Sequence, residues 1–308
     1  MPIHEAVPRT LRRKTAAISV GAAIVGALLL AACRDATGPD GRQSQLVFVR
    51  NAFDTLFVAE PNTGAVTRRI PLYLPSSRVR VSPSGDQLAF VNRRQLWVTK
   101  LDGGDARQIA TNAVSVDWSP DGNRLVYSVA TQPQQLRLIN VDGSGDTLVP
   151  GATPGAFQGL AWSPDGKRIA FDGLKPGGRT VYVINTDGTG LRDVDANLPG
   201  PESRTSGEPT WSPDGKQLAM HRFIFYNNNR VETKLWVVTL ATDDAIPITT
   251  GSGEDGRADW SPNGERIAFV RFQDGDSDVF VVRPDGSGLT RITNTPTERE
   301  QQPDWLPD

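Results

Sequence analysis

The residues able to do chemistry fall into a few groups. Asp117, Asp259 and Asp304 each directly precede a Trp, at Trp118, Trp260 and Trp305. Carboxylates repeated at one register can be brought together to hold a cation or a polar ligand. His221 is one of two histidines and stands alone beyond residue 4, too few for a multi-histidine metal or proton-transfer site. The one cysteine, Cys33, excludes an intramolecular disulfide and a thiolate zinc site. Arg222, Phe223, Phe225, Tyr226 and Arg230 surround three consecutive Asn, and such mixtures of aromatics and Arg are enriched in binding hot spots. No Gly-x-Ser-x-Gly nucleophile elbow occurs. This inventory predicts a binding protein with no catalytic residue, metal or cofactor. The alternative is an enzyme of the same fold acting on a carbohydrate or a peptide. A formal charge of -2 without clustered Lys/Arg argues against a nucleic-acid partner.

The elements that must position these residues are set by a repeat. WSPDGNRLVY at Trp118–Tyr127 returns as WSPDGKRIAF at Trp162–Phe171, WSPDGKQLAM at Trp211–Met220 and WSPNGERIAF at Trp260–Phe269. Degenerate copies are VSPSGDQLAF at Val81–Phe90 and WLPD at Trp305–Asp308. A second block follows the first, as in LWVTKLDGG from Leu96, VYVINTDGTG from Val181 and VFVVRPDGSG from Val279, with an unpaired copy from Leu56. Alternating apolar residues mark half-buried strands, and Pro, Asp/Asn and Gly between them mark tight turns. The motif prolines at 83, 120, 164, 213, 262 and 307 are spaced as blades of four strands each. The expected fold is all-β: a six-bladed β-propeller of four-stranded antiparallel blades. Its last blade is completed by the N-terminal strand at Gln45–Val49 and the C-terminal Pro303–Trp305, which leaves no open sheet edge at the seam.

In this arrangement Asp117, Asp259 and Asp304 approach the mouth of the central channel. Arg80, Ala161 and Thr210 occupy the same place in the other blades, which favours solvated acids bonding to neighbouring strand ends. The loops before each Trp strand and after each Ile-Ala-Phe strand emerge on one face. The two longest irregular stretches, Leu191–Pro209 and His221–Lys234, fall there and mark it as the candidate partner-binding face; the other reading of the second stretch is an extended hairpin with its aromatics packed on the neighbouring blade.

The paired blocks resemble the WD40-like repeats of the TolB-type six-bladed propellers over residues 45–308. True WD40 and kelch propellers are excluded by the missing Gly-His and Gly-Gly of each blade. The resemblance implies a non-enzymatic cell-envelope protein that binds another protein or an envelope component. The founding protein of this family carries an α/β domain before its propeller, whereas about a dozen residues separate Cys33 from the first strand here. None of its partner-contact residues carries over.

Arg9, Arg12, Arg13 and Lys14 precede an uncharged run from Thr15 to Ala32, the layout of a bacterial export signal. Leu30-Ala31-Ala32-Cys33 resembles the lipobox of bacterial lipoproteins, which implies lipidation at Cys33 after removal of residues 1–32. Residues 33–44, with Gly38, Pro39 and Gly41, read as a flexible tether. The expectation is a monomer exported and held to a bacterial membrane through its lipid anchor, facing the periplasm or the cell surface. Its partner is an envelope protein or glycan.

Overall fold

The computed structural model describes residues 44–50, 55–71, 78–152, 158–198, 204–226, 229–295 and 298–307. Cys33, the export signal and most of the tether lie outside them. The described residues form six four-stranded antiparallel sheets. Each sheet is a blade built from consecutive strands, as in Ala113–Trp118, Arg124–Val129, Gln135–Asn140 and Thr147–Leu148. The exception is the seam blade. There Glu300–Trp305 pairs with Leu46–Arg50, which continues into Thr55–Ala59 and Val66–Pro71. The inner strands touch in sequence around a ring, which closes where Glu300–Trp305 meets Arg78–Val81.

The apolar residues of the inner three strands make six cores, one at each junction between blades. In Leu46–Arg50, Leu46 and Phe48 point to a cluster with Ala268, Val279 and Trp305. Val47 and Val49 point the other way, to Val79, Leu88 and Phe90. Alternation therefore sends successive side chains to two different neighbours. The expectation of half-buried strands gives way here: a blade packed between two others is buried on both faces, so consecutive residues such as Leu46, Val47, Phe48 and Val49 are all buried. Phe48, Phe171 and Phe269 are fully buried. The short outer strands expose apolar residues at Leu148 and Ile246, and the far end of one second strand does so at Leu174.

The Ser-Pro-Asp-Gly turns repeat atom by atom. Arg168 N donates to Ser163 Oγ at 2.9 Å, Ser163 Oγ donates to Asp165 Oδ1 at 2.5 Å, and Lys167 N donates to Asp165 Oδ1 at 3.0 Å. Gly166 takes φ of 71°, a conformation open to Gly at little cost. It also lies over Pro120 of the preceding blade. The same stacking joins Gly122 to Pro83, Gly215 to Pro164, Gly264 to Pro213 and, across the seam, Gly85 to Pro307. The motif Pro and Gly thus act between blades as well as within a turn.

Candidate functional site

Each motif Trp packs on the preceding blade, and the indoles of Trp118, Trp211 and Trp305 donate to the carbonyls of Arg80, Ala161 and Asp259 at 3.0, 3.1 and 3.2 Å. The residue before the Trp is thereby fixed at the channel wall with its side chain inward. Asp117, Asp259 and Asp304 do meet there, around Arg80 rather than around an open space. Arg80 Nε lies 3.7 Å from Asp117 Oδ1, and the side chains are about one-fifth exposed. Burial alone would lower the Arg80 pKa, but the fields of Asp304, Asp117, Asp259 and Glu208 outweigh it and raise the value. The chain supplies its own cation to these acids.

The acids also staple adjacent blades. Asp117 Oδ2 accepts from Trp162 N at 2.7 Å, and Asp304 Oδ2 accepts from Val81 N at 2.9 Å across the seam. Asp304 Oδ1 accepts from Trp305 N at 2.9 Å, and Thr210 Oγ1 donates to Asp259 Oδ1 at 3.0 Å. The Asp259 and Asp304 carboxyls are hydrogen-bonded to each other. Burial first, then the charge of Asp304, pushes the Asp259 pKa well above the usual carboxylate range. Burial likewise raises Asp117 to about 6 against the opposing pull of Arg80.

Sequence reasoning missed a second ring at the mouth. Glu208, Arg257 and Gln302 each stand three residues before a motif Trp and adopt φ of 50°, 54° and 51°. A β-bulge accompanies each one. Such left-handed backbone in a non-Gly residue costs on the order of 1–3 kcal/mol and is kept where the surroundings enforce it. Here Glu208 Oε2 accepts from Arg257 N at 3.0 Å, and Gln302 Oε1 accepts from Val79 N at 2.8 Å. Their strands, RTSGEPTW, EDGRADW and EQQPDW, are polar along most of their length, so no single polar position stood out. With Arg80, these three residues line a cavity of about 50 Å³. Burial lowers the Arg257 pKa, partly offset by Glu208. Gly159 completes the wall because a Cβ there would come within 2.7 Å of Glu208 Cα.

His221 belongs to this mouth. Its Nδ1 lies 3.4 Å from Glu208 Oε2, and its ring meets Phe223 edge-on at 5.0 Å. The stretch from His221 to Lys234 is the extended hairpin that the sequence offered as its other reading. Gln217–Tyr226 and Asn229–Thr239 pair along their whole length, because Leu218–Ile224 and Glu232–Val238 alternate in register. Arg222 requires a correction as a surface contact: it is fully buried, with Nε 3.5 Å from Asp195 Oδ1 and its guanidinium 4.5 Å over Trp236. Phe223 is half-buried beside His221. The backbones of Phe225, Tyr226 and Arg230 lie at the hairpin tip, and their side chains lie outside the described ones.

Residues 202–308 match the TolB beta propeller domain. A TolB crystal structure from Acinetobacter baumannii superposes with a TM-score of 0.71 at 15% identity, over 86% of this chain and 67% of that one. A TolB candidate from Agrobacterium tumefaciens gives 0.61 at 18% identity, over 86% and 99%. Among curated proteins, the uncharacterized Atu1656 of Agrobacterium fabrum is 28% identical over 140 residues, 42% of this chain and 47% of that protein. Dipeptidyl-peptidase 5 of Porphyromonas endodontalis is 36% identical over 89 residues, 27% of this chain and 13% of the peptidase. The matched stretches thus span about half of the first relative and a small part of the second. The repeat and the six closed blades make the described chain a six-bladed β-propeller, whose residues 202–308 match the TolB beta propeller domain and whose fold is that of the TolB structures.

Proposed function

We propose that this protein is exported, lipid-anchored through Cys33, and binds a protein or glycan of the bacterial cell envelope without transforming it. The TolB-type fold supports a binding or scaffold role, and the leader with its Leu-Ala-Ala-Cys ending supports the envelope setting. The observation that carries the reading is the contrast between a channel filled by the chain's own Arg80 and a hairpin raised beside it. The second and third strands of that blade have 10 and 11 residues, against 5 to 8 in the others. Four residues beyond the six-residue strands, at about 3.3 Å each, carry the tip roughly 13 Å further over the face. Recognition is therefore assigned to this face. Metabolic palmitate labelling tests the anchor: label should appear in the wild type and be lost in Cys33→Ala. Capture from envelope extract tests binding, and a folded protein that retains nothing contradicts it.

A second reading, a peptide- or carbohydrate-acting enzyme, is favoured by the His221–Glu208 contact at the channel mouth and by the local likeness to a dipeptidyl-peptidase. Hydrolysis that disappears in His221→Ala would support it.

A further inference from the structure

The six blades differ at their outer rim. Five of the outer strands have two to five residues, whereas that of the seam blade, Val66–Pro71, has six. It pairs with Thr55–Ala59 on one side, and among the described residues no strand pairs with its other edge. Beside that edge lies a groove of roughly 500 Å³. Arg68, Arg69, Ile70 and Pro71 form one wall, and Asp86, Lys100, Leu101 and Asp102 of the next blade form the other. We propose that an extended acidic segment of a partner protein adds to this edge as a fifth strand of the blade. The site lies on the rim and is separate from the hairpin face.

The backbone supplies the first argument. Val66, Thr67, Arg68 and Arg69 are exposed, and alternate residues of an edge strand aim N–H and C=O groups away from their sheet. An extended peptide satisfies those groups by strand addition. Charge then selects the occupant. Arg68 stands opposite Val58, which faces the core shared with the next blade, and Arg69 stands opposite Phe57, which faces the core on the other side. The two guanidiniums therefore flank the strand on opposite faces. Neither makes an ion pair among the described residues, and Arg69 lies 5.5 Å over the Phe57 ring. The other charges of the groove are engaged in their own turns: Lys100 pairs with Asp105, Asp86 accepts from Ser82 and Ser84, and Asp102 accepts from Gly104 N at 2.8 Å. A second copy of this chain, pairing edge to edge, would set arginine near arginine, and like charges opposite one another destabilise a sheet. An incoming strand with acids at two adjacent positions meets both guanidiniums, one on each face. Next to the acid at Arg68, an apolar residue would rest on Ile70 and Leu101, which belong to one apolar cluster.

A single short edge holds its ligand weakly, so the test is an NMR titration of the full chain at low ionic strength and not a capture. The probes are acetyl-Thr-Val-Glu-Glu-Thr-Val-amide, its Lys-Lys counterpart, and two Glu-Glu forms N-methylated at alternate residues. The Glu-Glu peptide should bind at least about tenfold tighter than the Lys-Lys peptide and shift the amides of Val66 to Ile70. The N-methylated form whose remaining donors face the edge should bind like the parent, and the other should not. The double substitution Arg68→Glu/Arg69→Glu changes two exposed side chains, so it should leave the thermal midpoint unchanged and reverse the preference to the Lys-Lys peptide. No binding of the Glu-Glu peptide, undiminished binding by the double variant, or equal binding of both N-methylated forms overturns the proposal. So does a wild-type dimer in sedimentation that excludes the peptide, which would make a second copy the occupant. Capture by the hairpin face is read separately with envelope extract and stands or falls without this edge.

Discussion

Aspartate does opposite work at the two ends of the inner strands. On the turn face, Asp121, Asp165 and Asp214 accept from a Ser hydroxyl and a backbone N–H two residues on. For Asp121 and Asp214 the Ser hydrogen bond is the largest influence, and for Asp165 the same bonds overcome burial; all three pKa values fall. In the channel, Asp117 and Asp259 are pushed up because burial outweighs the fields of Arg80 and their hydrogen bonds. The turns recur from blade to blade because they solve one local backbone problem, with Asn263 standing for Asp in one copy and Ser84 with Asp86 in another. The channel varies from blade to blade because its residues answer one another across the ring. Repetition therefore marks structure here, and departure from repetition marks where the molecule is individual.

The comparison is broken most severely at the seam, where one side of the ring depends on residues from both ends of the chain. Trp305→Ala should cost about 3–5 kcal/mol in chemical denaturation, since Trp305 is 5% exposed and fills the junction with Phe48 and Val281. Removing residues 301–308 should lower the thermal midpoint further by deleting the Asp304 staple and the Pro307–Gly85 contact. An unchanged midpoint would refute the closure. Next comes the buried ion pair beneath the hairpin. Asp195→Ala leaves the Arg222 guanidinium, 0% exposed, without its carboxylate and should cost about 3 kcal/mol or more by denaturant titration.

The channel and the turns then separate by pH. A carboxyl whose folded pKa is raised binds more protons folded than unfolded, so its contribution is full below the unfolded pKa and lost as pH rises through the folded one. For Asp117 that window runs from about 4 to about 6, and Asp259, raised by burial and then by Asp304, has the same sign. Asp259→Asn keeps a donor toward Asp304 without a charge, and should flatten the fall in stability as pH rises above about 4, measured by denaturant midpoints from pH 4 to 8. The turn acids have the reverse sign, with stability present above the unfolded pKa and lost as pH falls below about 4. The smallest effect belongs to a single turn: Ser163→Ala removes the hydroxyl that serves Arg168 N and Asp165, and should cost about 1 kcal/mol in the same denaturation assay.

The repeat made the fold legible, down to the seam completed by Gln45–Val49 and Pro303–Trp305. Spacing alone sets blade number, and two unmatched ends can only complete each other. The convergence of Asp117, Asp259 and Asp304 was legible too, as a shared register before Trp. The role of Arg80 was not: its place in the series was read as a missing acid, and only the ring brings its guanidinium among carboxylates from three other blades. Glu208, Arg257 and Gln302 escaped because a β-bulge re-aims a side chain, and alternation cannot register one extra residue. Arg222 misled because an Arg among aromatics reads equally as a surface anchor or as a buried ion stacked on Trp236. The partner that decides between them, Asp195, lies 27 residues earlier in the chain.

The central claim is that recognition belongs to the face of the raised hairpin and not to the channel. Two folded variants decide it in one capture experiment with envelope extract: Arg80→Met, which empties the channel of its cation, and replacement of residues 224–232 by a two-residue Asn-Gly turn, which cuts the hairpin to the height of its neighbours. The account predicts undiminished capture by Arg80→Met and loss of capture by the shortened hairpin. Full capture by the shortened hairpin together with loss in Arg80→Met would contradict it.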